Sequence, residues 1–170
     1  MKDKLQKLIK KLKHRKTNIN ENSWPIVNIT NKIIPEEIDY LEYIEKTYFY
    51  HNEPPIRTYT VKCFNSGKMT TSEETKHGND ITEKKITSET MLDFCNQVSN
   101  FLTSGPLKKV TFIDDSEGSL FIHYKDGHIE EYDRGLSKGI LDTLDDLIAS
   151  FIRGYKIVID KNMAKLLGIK

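Results

Sequence analysis

The sequence predicts an α+β fold: a single domain with a mostly antiparallel sheet and helices packed against it, preceded by a short basic amphipathic N-terminal helix. Three observations carry that expectation. RTYTVKCF alternates apolar and polar residues with the period of a half-buried strand, as do the segments around FIHYKDGHIEEYD. SETMLDFCNQVSNFL and KGILDTLDDLIASFI repeat apolar residues with the 3.6-residue period of a helix packed on one side. At 170 residues the chain suits one domain with a core of its own.

Taken in order, KDKLQKLIKKLKHRK places Leu5, Leu8, Ile9 and Leu12 on one helical face, with Lys4, Lys7, Lys10, Lys11, Lys13 and Arg15 around it. Residues 1–20 form this helix and a polar linker, and residues 21–170 form the domain. WPIVNIT reads as a short strand. Pro35 opens a helix over PEEIDYLEYIEKTYFY, with Glu36 and Glu37 in its first turn and Ile38, Leu41, Ile44 and Tyr48 as its inner stripe. The paired prolines of HNEPP end it. After the strand RTYTVKCF, residues 66–85 read as an exposed β-ribbon turning at His77-Gly78-Asn79-Asp80, or as a loop.

Ser88 is the expected cap of the next helix, which Gly105-Pro106 stops. KVTFIDD, SLFIHYK and HIEEYD then form a three-stranded meander with turns at Glu117-Gly118 and Asp126-Gly127. Ser137 caps a third long helix, whose apolar face is Ile140, Leu141, Leu144, Leu147, Ile148, Phe151 and Ile152. YKIVID and KNMAKLLGIK read as a final strand and a final short helix.

No apolar run approaches the roughly 20 residues of a spanning helix. Residues 1–16 have no uninterrupted hydrophobic stretch and no small-residue cleavage site, so no secretory signal is expected. Two cysteines, Cys63 and Cys95, are too few for a disulfide framework. The expected setting is soluble, reducing and cytoplasmic.

The net charge of +1 hides an asymmetry. Residues 1–16 hold eight basic residues against Asp3 alone. Residues 114–146 hold ten carboxylates, Asp114, Asp115, Glu117, Asp126, Glu130, Glu131, Asp133, Asp142, Asp145 and Asp146, against Lys125, Arg134 and Lys138. Charge divided in this way bears on partners and association rates.

Catalytic signatures are sparse. The sequence has no G-x-S-x-G elbow, phosphate-binding glycine loop, H-E-x-x-H or C-x-x-C pattern. If Asp126-Gly127 is a two-residue turn, His123 faces Glu130 and His128 lies on the same side. Two imidazoles and a carboxylate can hold a divalent metal or move a proton. The simpler reading makes His123 a half-buried sheet residue bonded to Glu130, and no metal or other cofactor is expected.

The leading expectation is a non-catalytic binding protein, a small inhibitor or immunity-type protein of bacterial or phage origin. It would neutralise a basic protein such as a nuclease toxin through the ten carboxylates, with Asp142, Asp145 and Asp146 projecting from one side of their helix. A second reading is a membrane- or nucleic-acid-associated accessory protein using residues 1–16. A third is a metal-dependent or acid–base enzyme using His123, His128 and Glu130. The ordinary alternative for both charge clusters is a solvated surface.

Overall fold

The computed structural model describes residues 24–50, 53–110, 115–139 and 142–154. The basic segment 1–16, the strand and helix expected over 155–170, and Asp114, Ile140 and Leu141 lie outside the described residues. The architecture is α+β, with two antiparallel sheets and two helices.

The larger sheet contains β2 (Ile38–Thr47), β3 (Arg57–Phe64), β4 (Lys68–Thr75), β5 (Gly78–Lys85), β7 (Ser116–Tyr124) and β8 (Ile129–Asp133), in the order β5-β4-β3-β2-β7-β8. The smaller sheet runs β1 (Ile26–Val27), β6 (Leu107–Lys109), β9 (Leu136–Gly139) and β10 (Asp142–Thr143). Helices α1 (Ser88–Thr103) and α2 (Leu144–Gly154) complete the fold. Leu41, Val61, Cys63, Leu120 and Ile122 on one face of the larger sheet meet Phe94 of α1 and Ile148 of α2 in one core.

The helix expected from Pro35 is a correction. Pro35–Glu37 make one 3-10 turn, after which Ile38–Thr47 run as a strand between β3 and β7. A bulge between Ile38 and Tyr40 explains the misreading. It puts Ile38 and Leu41, three residues apart, both in the core, and so imitates the spacing of a helical face. Tyr40, Tyr43 and Ile44 favour the pleated surface instead.

Residues 66–85 do form the ribbon, with the turn centred on Lys76–His77, two places earlier than expected. Thr87, rather than Ser88, caps α1, its hydroxyl accepting from Thr90 N at 3.1 Å. The expected meander divides between the sheets. Leu107–Lys109 pair with β1 and β9 in the smaller one. Glu117-Gly118 is no turn but part of β7. Gly118 is needed there because a Cβ would lie 2.7 Å from Cδ of Arg134.

The Asp126-Gly127 loop holds three residues, not two. Tyr124 N donates to His128 O (3.0 Å), and Gly127 N donates to Tyr124 O (2.9 Å). Gly127 takes a φ of +92°, which favours glycine. The β3–β4 hairpin closes in the same way, with Gly67 N donating to Phe64 O (3.0 Å) at a φ of +84°.

The third helix is shorter than expected. Ser137 is fully buried and its hydroxyl is tied to the backbone of Gly139, which keeps this segment in β9. Thr143 starts the helix instead. Asp146 N donates to Thr143 Oγ1 (3.0 Å) and Thr143 N to Asp146 Oδ2 (3.3 Å), a reciprocal cap.

Candidate functional site

The hairpin register decides what becomes of FIHYKDGHIEEYD. His123 pairs with Ile129 and Ile122 with Glu130, one step away from the expected alignment. A one-residue slip moves side chains to the opposite face. His123 therefore lies on the outer face of the larger sheet, away from the helices, and Glu130 on the inner face. His128 stays at the loop, where its ring stacks on Tyr124 (centroids 3.9 Å) and Nδ1 lies 2.6 Å from Asp126 Oδ1. The three residues do not converge. Among the described residues no group of three or more His, Cys, Asp or Glu has metal-binding geometry.

Glu130 is instead a structural acceptor. Tyr124 and Tyr132 hydroxyls both donate to its Oε2 at 2.7 Å, and Asn31 Nδ2 donates to Oε1 at 2.9 Å. Burial works against its charge, but these donors outweigh it and hold the carboxyl below its ordinary value of 4.5. A depressed folded pKa contributes stability that is complete above the unfolded value and is lost as pH falls through the folded value. Glu130→Gln is expected to remove that part of the acid sensitivity. Urea unfolding at pH about 6 and about 3 checks it through a smaller stability difference than in the wild type.

The nine of the ten carboxylates that lie among the described residues do not gather on one surface. Glu117, Glu131 and Asp133 alternate with inward residues and lie on the outer face. Asp115 and Asp126 are exposed at opposite ends of β7. Asp142, Asp145 and Asp146 do not share one side of a helix. Asp142 belongs to β10, and Asp146 is engaged in the cap. Asp145 accepts the Tyr43 hydroxyl at 2.6 Å. Burial, reinforced by Asp145, raises the Tyr43 pKa and keeps the phenol protonated as the donor.

Tyr43 and Asp145 line a cleft of about 560 Å³ between α2 and the inner face of β3–β5, with Arg57, Tyr59, Met69 and Ile152. Two of its ionic groups are engaged within the fold. Glu45 lies 4.0 Å from the buried Arg134, and Arg57 binds Glu73 at 2.7 Å.

The outer face of the larger sheet is of another kind. No described residue on it is buried, although both helices pack on the opposite side. Ile129, His123, Tyr40 and Phe64 form one cross-strand row. The Tyr40 ring stacks on His123 (centroids 4.0 Å) and tilts against Phe64 (5.1 Å). The next row is Glu131, Phe121, Glu42 and Lys62. Glu42 binds Lys62 and His123, each at 3.0 Å, and so replaces Glu130 as the partner of His123. Ser119 donates to Glu131 at 2.7 Å. Antiparallel sheets commonly leave one face to water, and that face is then usually polar. An aromatic band edged by carboxylates departs from that pattern.

The helical reading of residues 35–50 hid Tyr40 and Glu42 from this group. Alternation of Tyr40, Glu42, Ile44 and Lys46, matched to that of Thr58, Thr60, Lys62 and Phe64, is the signal that identifies them.

Both cysteines are buried, 3% exposed, and burial pushes each thiol up to about 12. Neither is expected to react with an aromatic disulfide reagent in native buffer at neutral pH. Both should react after denaturation, and the release of coloured thiolate measures this.

Compared with known proteins, the chain matches no family model, no curated protein and no solved structure.

Proposed function

We propose that this is a non-catalytic binding protein of the inhibitor or immunity type, acting in the cytoplasm on a basic protein partner. The observation that carries the reading is the outer face of β2, β3, β7 and β8, on which no described element packs. There Tyr40, Phe64, Phe121 and Ile129 supply apolar contact area, and Glu42, Glu117, Glu131 and Asp133 outnumber Lys46, Lys62 and Lys109, whose ammonium lies 2.9 Å from Asp133. Aromatic side chains carry much of the energy of protein interfaces, while charges at the rim steer the encounter and reject partners of the wrong sign. An open sheet face suits a macromolecule better than a small substrate, which concave sites bury. No described helix is long and apolar enough to cross a membrane.

The test is a quantitative pull-down from native lysate with the wild type and the double variant Glu117→Lys/Glu131→Lys. The proposal expects a basic captured protein whose association slows about tenfold with the variant and weakens with salt. Capture indifferent to both the charge reversal and salt refutes it.

A further inference from the structure

Strand β5 ends the larger sheet, and all eight of its residues are exposed. Antiparallel neighbours exchange backbone bonds at every second pair only. The two-residue turn makes Thr75–Gly78 one such pair. Ile86 N, donating to Gly67 O at 2.8 Å, continues the same phase. The backbone N–H and C=O groups of Asn79, Ile81, Glu83 and Lys85 therefore point away from β4. Among the described residues no strand pairs with that edge. Edges of this length are normally blunted by proline, a bulge or charged side chains. Strand β5 has no proline and pairs with β4 in unbroken register, and its charges, Asp80, Glu83, Lys84 and Lys85, are of both signs and so can complement a second copy as well as repel one.

We propose that β5 is a self-pairing edge, joining two copies of this chain antiparallel about a two-fold axis at Thr82. Two six-stranded sheets then become one of twelve. In this register the outward backbone groups of Ile81 meet those of Glu83 in the other copy, and Asn79 meets Lys85. Asp80 falls directly opposite Lys84 twice, in the non-hydrogen-bonded pairs where side chains come closest.

Neighbouring two-fold registers lack this complementarity. Moving the axis to Glu83 sets Glu83 against itself, and moving it to Asp80 sets Asp80 against itself. An axis at Ile81 leaves Asp80 facing threonine. Within its own chain Asp80 lies opposite Glu73, a like charge, and Lys84 lies opposite Met69. A second copy supplies each with the partner its own sheet withholds. The side chain of Ile81, 67% exposed on its own, gains a neighbouring strand. This inference is independent of the proposed outer-face partner, because pairing along β5 leaves β7 and β8 uncovered.

Sedimentation equilibrium of the full chain from micromolar to millimolar concentration tests the pairing. The mass should rise from 19.7 kDa toward twice that value. Asp80→Lys or Lys84→Asp alone should weaken the dimer about tenfold, since each turns two symmetric attractions into repulsions. The double variant should restore it. Ile81→Pro should abolish it while leaving the thermal melt intact, because the Ile81 N–H takes no part in the β4–β5 ladder. A monomer at every concentration overturns the proposal, as does a dimer whose charge-swapped double variant is as weak as the singles. If Ile81→Pro fails to fold, the charge-swap series decides alone.

Discussion

Replacing Phe94 by alanine is expected to lower the unfolding free energy by about 3–5 kcal/mol, the range for removing a buried aromatic ring. Phe94 is 3% exposed, and its ring stacks on Phe151 of α2 with centroids 3.7 Å apart and planes within 4°. Leu41, Val61, Cys63 and Leu120 of the larger sheet surround the same spot, so α1, α2 and the sheet all meet there. Truncation leaves a void between three elements that cannot all close on it. Denaturant titration followed by far-ultraviolet circular dichroism provides the check. Phe94→Leu should recover much of the loss. A cost below about 1 kcal/mol for the alanine variant would mean that the helices do not share this core.

Arg134→Ala should cost about 3 kcal/mol, at the lower end for breaking a buried ion pair. The side chain is 5% exposed. Its Nη2 donates to Ser116 O at 3.1 Å and to Ser116 Oγ at 2.7 Å, and Nη1 approaches Glu45 at 4.0 Å. Removing it strips acceptors in β7 of their donor and takes the cation from beside Glu45, which keeps partial access to water. That access is why the lower end applies. Arg134→Lys should rescue only part of the loss, because one ammonium cannot reproduce the planar fork of donors. Equal stability of the lysine variant and the wild type would show that charge alone matters at this position.

Much of the fold is legible in the sequence where one periodicity speaks without interference. The alternation of Tyr59, Val61 and Cys63 gives β3, and the repeat of Met91, Cys95, Val98 and Leu102 gives α1. Legibility fails where a local irregularity changes the period. The bulge at Ile38–Tyr40 imitates a helical repeat, and Gly118 resembles a turn until Arg134 is seen filling the space beside it. Ser137 carries the chemistry of a helix cap, but its hydroxyl is engaged by Gly139.

The candidate site was harder to read for a related reason. Whether His123 meets Glu130 or Glu42 depends on one extra residue in the Lys125-Asp126-Gly127 loop, and that residue decides the face of every side chain beyond it. The carboxylates between Asp115 and Asp146 are continuous in sequence but divided in space. Several of them (Glu130, Asp145 and Asp146) serve tyrosines and a helix cap. A run of like charge records composition, and only the strand register says which charges face outward.

Site-specific photo-crosslinking tests the outer-face account most directly, with a benzophenone amino acid placed at Ile129 and, as control, at Asn96 on the exposed side of α1. Position 129 is 56% exposed and lies in the row of His123, Tyr40 and Phe64. The account predicts a discrete adduct with a basic protein from position 129, diminished by salt and by Glu117→Lys/Glu131→Lys, and none from position 96. An adduct from position 96 with none from position 129 would contradict it.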